Sequence, residues 1–370
     1  MEDIQTRAKQ PDFLILLLTF ILLGVGLVMV YSSSQIIAYL SEYKDPAHFF
    51  KRQLVWAIGG LIGMVIAMNI HYDVYRRYVP IMLGGLFILM VLVLTDLGVS
   101  RNGAQRWLNL GFTNIQPSEF VKIGLIIYLA SIYSKKQSYI TNFKRGLIPP
   151  LIVVAIFFML ILLQRDLGTG MSVLFFTMVM IFCSGAQFRH MFGLGALTSV
   201  LFTVFVLTSD YRVKRVTSYQ NPWEDAQNTG YQLIQSLIAI GNGGFTGRGF
   251  GNSIQKYLYL PEAQTDFIFA ITAEELGLVG VSFILVCYAL LIVRGIRAAV
   301  RVPNTFGTLL GIGIVSMIGV QALINIGVVS GRLPVTGISL PLISYGGSSL
   351  LLTLFSIGIL LNISRHGRDD

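Results

Sequence analysis

The run Tyr259-Leu260-Pro261-Glu262-Ala263-Gln264-Thr265-Asp266-Phe267-Ile268-Phe269-Ala270, continuing to Glu274-Glu275-Leu276-Gly277, puts acids at and inside the start of a long apolar segment. An acid at such a boundary, as Asp266 is, has a structural and a chemical reading. Thr265 or Asp266 suits a helix cap, where an acid complements the dipole. Glu274 and Glu275 lie two turns further in, about 12 Å along a continuous helix. Acids at such depth either pair or serve function.

Two more intramembrane charges need a reason. Lys122 closes Gln116-Pro117-Ser118-Glu119-Phe120-Val121-Lys122, and Asp166 sits in Gln164-Arg165-Asp166-Leu167-Gly168-Thr169-Gly170. At similar depth they read as a pair across two helices. The alternative is a lysine that snorkels to the headgroups and an aspartate that belongs to a loop. Cations cluster in Tyr211-Arg212-Val213-Lys214-Arg215 and again at Arg248, inside the glycine-dense stretch 240–249. Cations beside glycine-freed backbone amides suit phosphate or diphosphate. No Gly-Lys-Ser/Thr follows, so this is not a nucleotide loop. A glycine-rich turn between amphipathic interfacial helices is the competing reading. The stretch 333–349, with Pro334, Pro341, Gly337, Gly346, Gly347 and Ser344, reads as a broken helix or re-entrant loop. Such backbone is tolerated at membrane depth only where it lines a cavity or packs on protein.

The elements that must position these residues are membrane helices. The 370-residue chain is 54% hydrophobic and 12% charged, against about 25% charged in soluble domains; its mean hydropathy is +0.71. A soluble fold would have to bury nearly all of it, which surface-to-volume scaling forbids. The net charge of +9 comes with no basic face interleaved with aromatics, so it signals topology rather than nucleic acid. Cys183 and Cys287 both sit in apolar segments, which argues against a disulfide framework or a metal site.

Runs long enough to span a bilayer fall at 13–31, 54–70, 79–95, 118–133, 147–163, 167–183, 191–208, 267–293, 306–330 and 346–363. The first is too long for a signal-peptide core and is expected to be retained. The expected fold is all-α, a single integral membrane unit over 1–370 with about ten spans. Lys and Arg are denser in the terminal segments and the loops on their side, which places both termini in the cytoplasm. The loops 97–117, 209–265 and 331–345 then face outward, and loops this long are functional more often than not.

Taken in order, Arg101 to Trp107, Gln116 to Lys122, Gln164 to Thr169, Asn221 to Asp225, Tyr259 to Gly277 and Leu333 to Ser349 resemble the SEDS family of FtsW, RodA and SpoVE. The likeness covers essentially the whole chain and is nearer to FtsW and SpoVE than to RodA. One departure is Arg165, where the family usually has proline. The resemblance implies a peptidoglycan glycosyltransferase in the bacterial cytoplasmic membrane, an inverting enzyme that polymerises lipid II in division, elongation or sporulation. It implies lipid II, undecaprenyl-diphosphate-linked glycan and membrane lipids as ligands, and a class B penicillin-binding protein as partner. Asp266 matches the family's essential aspartate, and Lys122 and Asp166 match a polar pair in its central cavity. Arg101, Glu119, Glu274 and Ser344 join Arg212, Arg215 and Arg248 as candidate substrate-binding residues.

The chemistry joins an acceptor 4-hydroxyl to the donor's anomeric carbon and expels a lipid diphosphate. It needs a base at the hydroxyl and positive charge at the leaving group. A divalent cation, Mg or Mn, is a further candidate at the leaving group, although no dense carboxylate cluster marks a site. A lipid II flippase or a non-catalytic division scaffold are the competing functions.

Overall fold

The computed structural model describes residues 10–367 apart from 102, 110, 112, 209–212 and 214–216. Among the described residues, the longer helices are α1 (Phe13–Leu40), α2 (His48–Asn69), α3 (Val79–Val93), α4 (Pro117–Lys135), α5 (Ile148–Leu163), α6 (Leu167–Cys183), α7 (Phe188–Leu207), α8 (Tyr231–Gly243), α9 (Ile268–Val300), α10 (Thr305–Val329) and α11 (Gly347–Ser364). All but α8 occupy the ten apolar runs. Six are long and apolar enough on those grounds alone to cross a bilayer, and α3 and α6 are shorter apolar helices. The protein is a polytopic membrane protein.

Local chemistry sets the helix starts. The Asp12 carboxylate accepts from the amides of Leu14 and Ile15, and Asn304 accepts from Phe306. Proline stands in the first turn of α3, α4 and α5, where its missing N–H is no loss. Helices α10 and α11 are the most enclosed of those six. Glycine lets neighbours approach: a methyl at Gly313 would meet Ile126 at 2.5 Å. Close approach through small residues is how helices pack in lipid. Outward faces such as Val55, Ile58, Ile62 and Ile66 on α2 stay exposed, as lipid-facing surface must.

The amide of Asp12 donates to the Ser364 hydroxyl, so the starts of α1 and the end of α11 meet at one end of the bundle. The other end carries α8 and a small antiparallel sheet of β1 (Gly98–Arg101), β2 (Ala104–Asn109) and β3 (Asn114–Ile115). Among the described residues this sheet is the one departure from an all-helical reading. Arg101 pairs with Ala104, and the intervening sequence, Asn-Gly, is the strongest short hairpin signal.

Candidate active site

At the sheet end, a cavity of about 360 Å³ opens among the starts of α2, α4, α6 and α11, strand β2, and the segments 262–266 and 335–339. Arg52 and Trp56 reach it from α2, Arg106 and Trp107 from β2, and Gln116 and Glu119 from the start of α4. Glu262, Asp266, Gln321 and Tyr345 complete its polar wall.

Asp266 is held there by its backbone. Three successive carbonyls, of Gln264, Thr265 and Asp266, accept from the Tyr345 amide at 2.9 Å, the Ser344 hydroxyl at 2.6 Å and the Asn325 side-chain amide at 2.8 Å. Gln53 holds the same strip from behind, donating to the Ser344 carbonyl and accepting from the Gly346 amide. Glu262 and Leu342, one on each segment, adopt left-handed backbone (φ 54° and 66°). Such residues cost about 1–3 kcal/mol each and persist only where the surroundings enforce them. Ser344, a candidate substrate ligand, thus spends its hydroxyl on the clamp: it donates to Thr265 and accepts from the Leu340 amide.

The carboxylate shares the space beside Gly337 with a guanidinium. A Cβ built on Gly337 would stand 3.5 Å from Asp266 Oδ2 and 3.9 Å from Arg106 Nη1. Any side chain at 337 would therefore crowd both acid and cation, and the φ of 75° there also favours glycine. The capping role is not what the structure uses: Phe267 precedes α9 and no side chain caps it, while the Thr265 hydroxyl turns back to Glu262.

Lys122 and Asp166 take different partners. Lys122, 1% exposed, pairs with Glu119 one turn away at 2.8 Å, and Glu119 lines the cavity. Asp166 caps α6, accepting from the Thr169 amide and hydroxyl, and also accepts from Gln116 Nε2 at 3.1 Å. Its ionic partner is Arg106, at 3.6 Å. A lysine paired within its own helix satisfies the charge without a second span, and Asp166 instead ties α4, α6 and β2 together.

Glu274 and Glu275 are sealed from solvent and stand apart from the cavity wall. Glu274, 0% exposed, accepts from the Ser253 hydroxyl at 2.5 Å and from the amides of Ile254 and Gln255. Glu275 pairs with buried Lys256 at 3.0 Å and accepts from Ser32 of α1. Next to them α9 breaks at Gly277 (φ 63°, ψ −167°), and the glycine stretch fills the break. The amides of Arg248 and Gly249 donate to the carbonyls of Glu274 and Glu275, and the amides of Leu278 and Val279 donate to those of Gly244 and Phe245. A Cβ on Gly277 would lie 2.2 Å from the Gly247 nitrogen. The glycines therefore serve backbone-to-backbone packing rather than a phosphate cradle, and the Arg248 side chain is exposed beside that plug. Arg212 and Arg215 lie outside the described residues, and so does the side chain of Arg101 at the end of β1.

Residues 13–369 match the family model described as "Cell cycle protein", that of FtsW, RodA and SpoVE. The chain belongs to this FtsW/RodA/SpoVE family. It is 48% identical over 366 residues to "Stage V sporulation protein E" of Bacillus subtilis (strain 168), covering 98% of this chain and 99% of that one. It is 44% identical over 357 residues to "Probable peptidoglycan glycosyltransferase FtsW" of Geobacter metallireducens, covering 96% and 95%. A solved chain from "Structural coordination of polymerization and crosslinking by a peptidoglycan synthase complex" superposes with a TM-score of 0.78 at 32% identity, covering 96% and 98%.

Arg165 stands where the resemblance leads one to expect proline, and its geometry explains how the backbone accommodates arginine. Its φ of 58° is closed to proline, and its amide donates to the Leu162 carbonyl at 2.9 Å. Its carbonyl accepts from Arg106 Nη2, and its own guanidinium donates to the Gly103 carbonyl at 3.2 Å. Arg165 thus ties the cap of α6 to the hairpin. Sequence reading missed Arg52, Arg106, Gln321 and Asn325. The last two are polar residues inside an apolar span, the same signal that picked out Lys122.

Proposed function

We propose that this chain is a peptidoglycan glycosyltransferase that polymerises lipid II at the outer face of the cytoplasmic membrane. The observation that carries the reading is the Asp266 carboxylate beside the Arg106 guanidinium, both next to Gly337, in a cavity that Arg52 also lines. Asp266 takes the proton from the acceptor's 4-hydroxyl. That oxygen attacks the donor's anomeric carbon from the face opposite the leaving group, and the bond to the diphosphate breaks. Arg52 and Arg106 neutralise the departing lipid diphosphate through charge-assisted hydrogen bonds. Arg106 is suited to this because its Nε is buried without an acceptor among the described residues. Trp56, Trp107 and Tyr345 give the sugar rings flat apolar surfaces.

The membrane orientation follows from charge: both termini are cytoplasmic and the cavity end is outside. The partner is a class B penicillin-binding protein, which crosslinks what this chain polymerises. The solved complex that couples the two activities supports this pairing. Among the described residues no group of three or more His, Cys, Asp or Glu side chains is arranged for a metal ion. A divalent cation, Mg or Mn, would therefore take most of its oxygen ligands from the diphosphate and water, with Asp266 or Glu262 adding a carboxylate.

The test is purified protein, with its transpeptidase partner, given labelled lipid II. Glycan ladders are the expected product. Absence of chains from a folded complex that nonetheless moves labelled lipid II across vesicle bilayers would replace polymerisation with transport.

A further inference from the structure

The connection between α4 and α5, at the end of the bundle opposite the cavity, concentrates positive charge without compensation. Lys136, Lys144 and Arg145 lie in it, Lys135 ends α4 beside it, and Arg189 stands in the first turn of α7 on that side. No Asp or Glu occurs anywhere in 120–165 or in 167–209. Among the described residues none of these cations has a carboxylate within ion-pair distance.

The connection is a built shape rather than a loose charged loop. Asn142 accepts from the Arg145 amide and its carbonyl accepts from Gly146, which winds Phe143–Leu147 into a π turn. A methyl at Gly146 would meet the Tyr139 carbonyl at 2.8 Å, so the loop closes tightly on itself. Lys136 Nζ donates to the Arg145 carbonyl at 2.8 Å and stands 5.9 Å from the Tyr139 ring. The result is an open groove of about 490 Å³ lined by Lys136, Tyr139, Asn142, Lys144, Arg145 and Pro149.

Below Pro149 runs an exposed apolar stripe on one face of α5: Ile148, Ile152, Ile156, Met159 and Leu163. Their spacing follows the helical repeat, so the groove and the stripe are continuous. A cationic groove where helices leave the bilayer, opening onto a lipid-facing apolar track, matches one molecule in both halves.

We infer that this groove binds an anionic phospholipid, with its headgroup phosphate on Lys136, Lys144 and Arg145 and an acyl chain along the α5 stripe. The site is independent of the polymerase reading and stands or falls separately.

The test is tryptophan quenching in vesicles. An Ile152→Trp variant is placed in mixtures of phosphatidylglycerol and phosphatidylcholine, with one or the other brominated in the acyl chain. The signal is the difference from the parent protein, which carries only its own three tryptophans. The expected preference for phosphatidylglycerol is about fivefold or more, lost in Lys144→Gln/Arg145→Gln, restored in Lys144→Arg/Arg145→Lys and retained in Arg297→Gln. Equal quenching by both lipids overturns the site. So does an equal loss in Arg297→Gln, which would reduce the effect to surface charge at large. Suppression by inorganic phosphate, beyond that by chloride of matched ionic strength, would make it a site for soluble anions instead.

Discussion

Asn325 donates its side-chain amide to the carbonyl of Asp266 at 2.8 Å and, with the other hydrogen, to the carbonyl of Ile338 at 2.7 Å. One buried side chain in an apolar span thereby joins the acid's segment to the loop that precedes α11. The distance from Asp266 to the far wall of the cavity is set through this amide and through Ser344, not by the start of α9, which carries no cap.

Asn325→Leu keeps the volume and removes both donations. It leaves two buried carbonyls unpaired, at about 1–3 kcal/mol each. The expected outcome is a folded but less stable protein whose turnover drops at least tenfold while its apparent affinity for lipid II changes little. Glycan-chain rates per folded molecule, with thermal unfolding in detergent, separate the two effects. A variant with full turnover would remove Asn325 from the positioning of Asp266.

The partner of Lys122 is open to a double-mutant cycle. Lys122→Met leaves Glu119 buried and uncompensated, and Glu119→Gln does the converse, so each alone is expected to destabilise by about 3–5 kcal/mol. The pair together should cost much less than the sum. The matching cycle of Lys122 with Asp166 should be additive within about 0.5 kcal/mol. Coupling found with Asp166 and not with Glu119 would reverse the assignment.

Much of this architecture was legible because lipid restricts the options. The ten spans follow from apolar runs alone, and Glu119, Lys122, Asp166, Asp266, Glu274 and Glu275 stand out as charges where charge is expensive. Partners were not legible, because they depend on which helix starts meet. Asp166 reaches Arg106 across 60 residues of chain, and the hairpin that brings Arg106 in was signalled only by Asn102-Gly103. The glycine stretch misled for a physical reason: phosphate and a carbonyl oxygen ask the same of freed amides. Only the position of the Gly277 break decides which acceptor they meet.

The plug at that break predicts an asymmetry. Gly277→Ala places a methyl 2.2 Å from the Gly247 nitrogen in a left-handed conformation, and is expected to destabilise by upwards of about 3 kcal/mol. Arg248→Gln changes only an exposed side chain and should stay within about 0.5 kcal/mol, with glycan synthesis intact. Loss of synthesis in well-folded Arg248→Gln would return that arginine to the substrate.

At the opposite end, burial holds the His71 imidazole below its usual value of 6.5, aided by His366, while Asp73 pulls the other way. The folded state therefore binds this proton less readily than the unfolded one. Its stabilising contribution is complete above pH 6.5 and is lost as the pH falls from there through the depressed folded value. Protonation also removes the acceptor for the Asp73 amide. Thermal stability in detergent should fall between pH 7 and 5, and less so in His71→Asn. Identical profiles for the two proteins would exclude His71 as the source.

Asp266→Asn tests the base. The change keeps size, and the Asp266 backbone stays clamped by Asn325 because the clamp uses its carbonyl, not its side chain. Folding and partner binding are therefore expected to survive. The asparagine amide takes up no proton, and a general base contributes about 10²–10⁴-fold in rate, so glycan chains should all but vanish. Glu274→Gln is the comparison. That carboxylate holds Ser253, Ile254 and Gln255 away from the cavity, so its loss should lower stability before it lowers turnover per folded molecule. A well-folded Asp266→Asn protein that still makes long chains at near-normal rate would sink the assignment. The proton would then need another acceptor in the same cavity, and Glu262, which lines it and lies on the same segment, is the candidate.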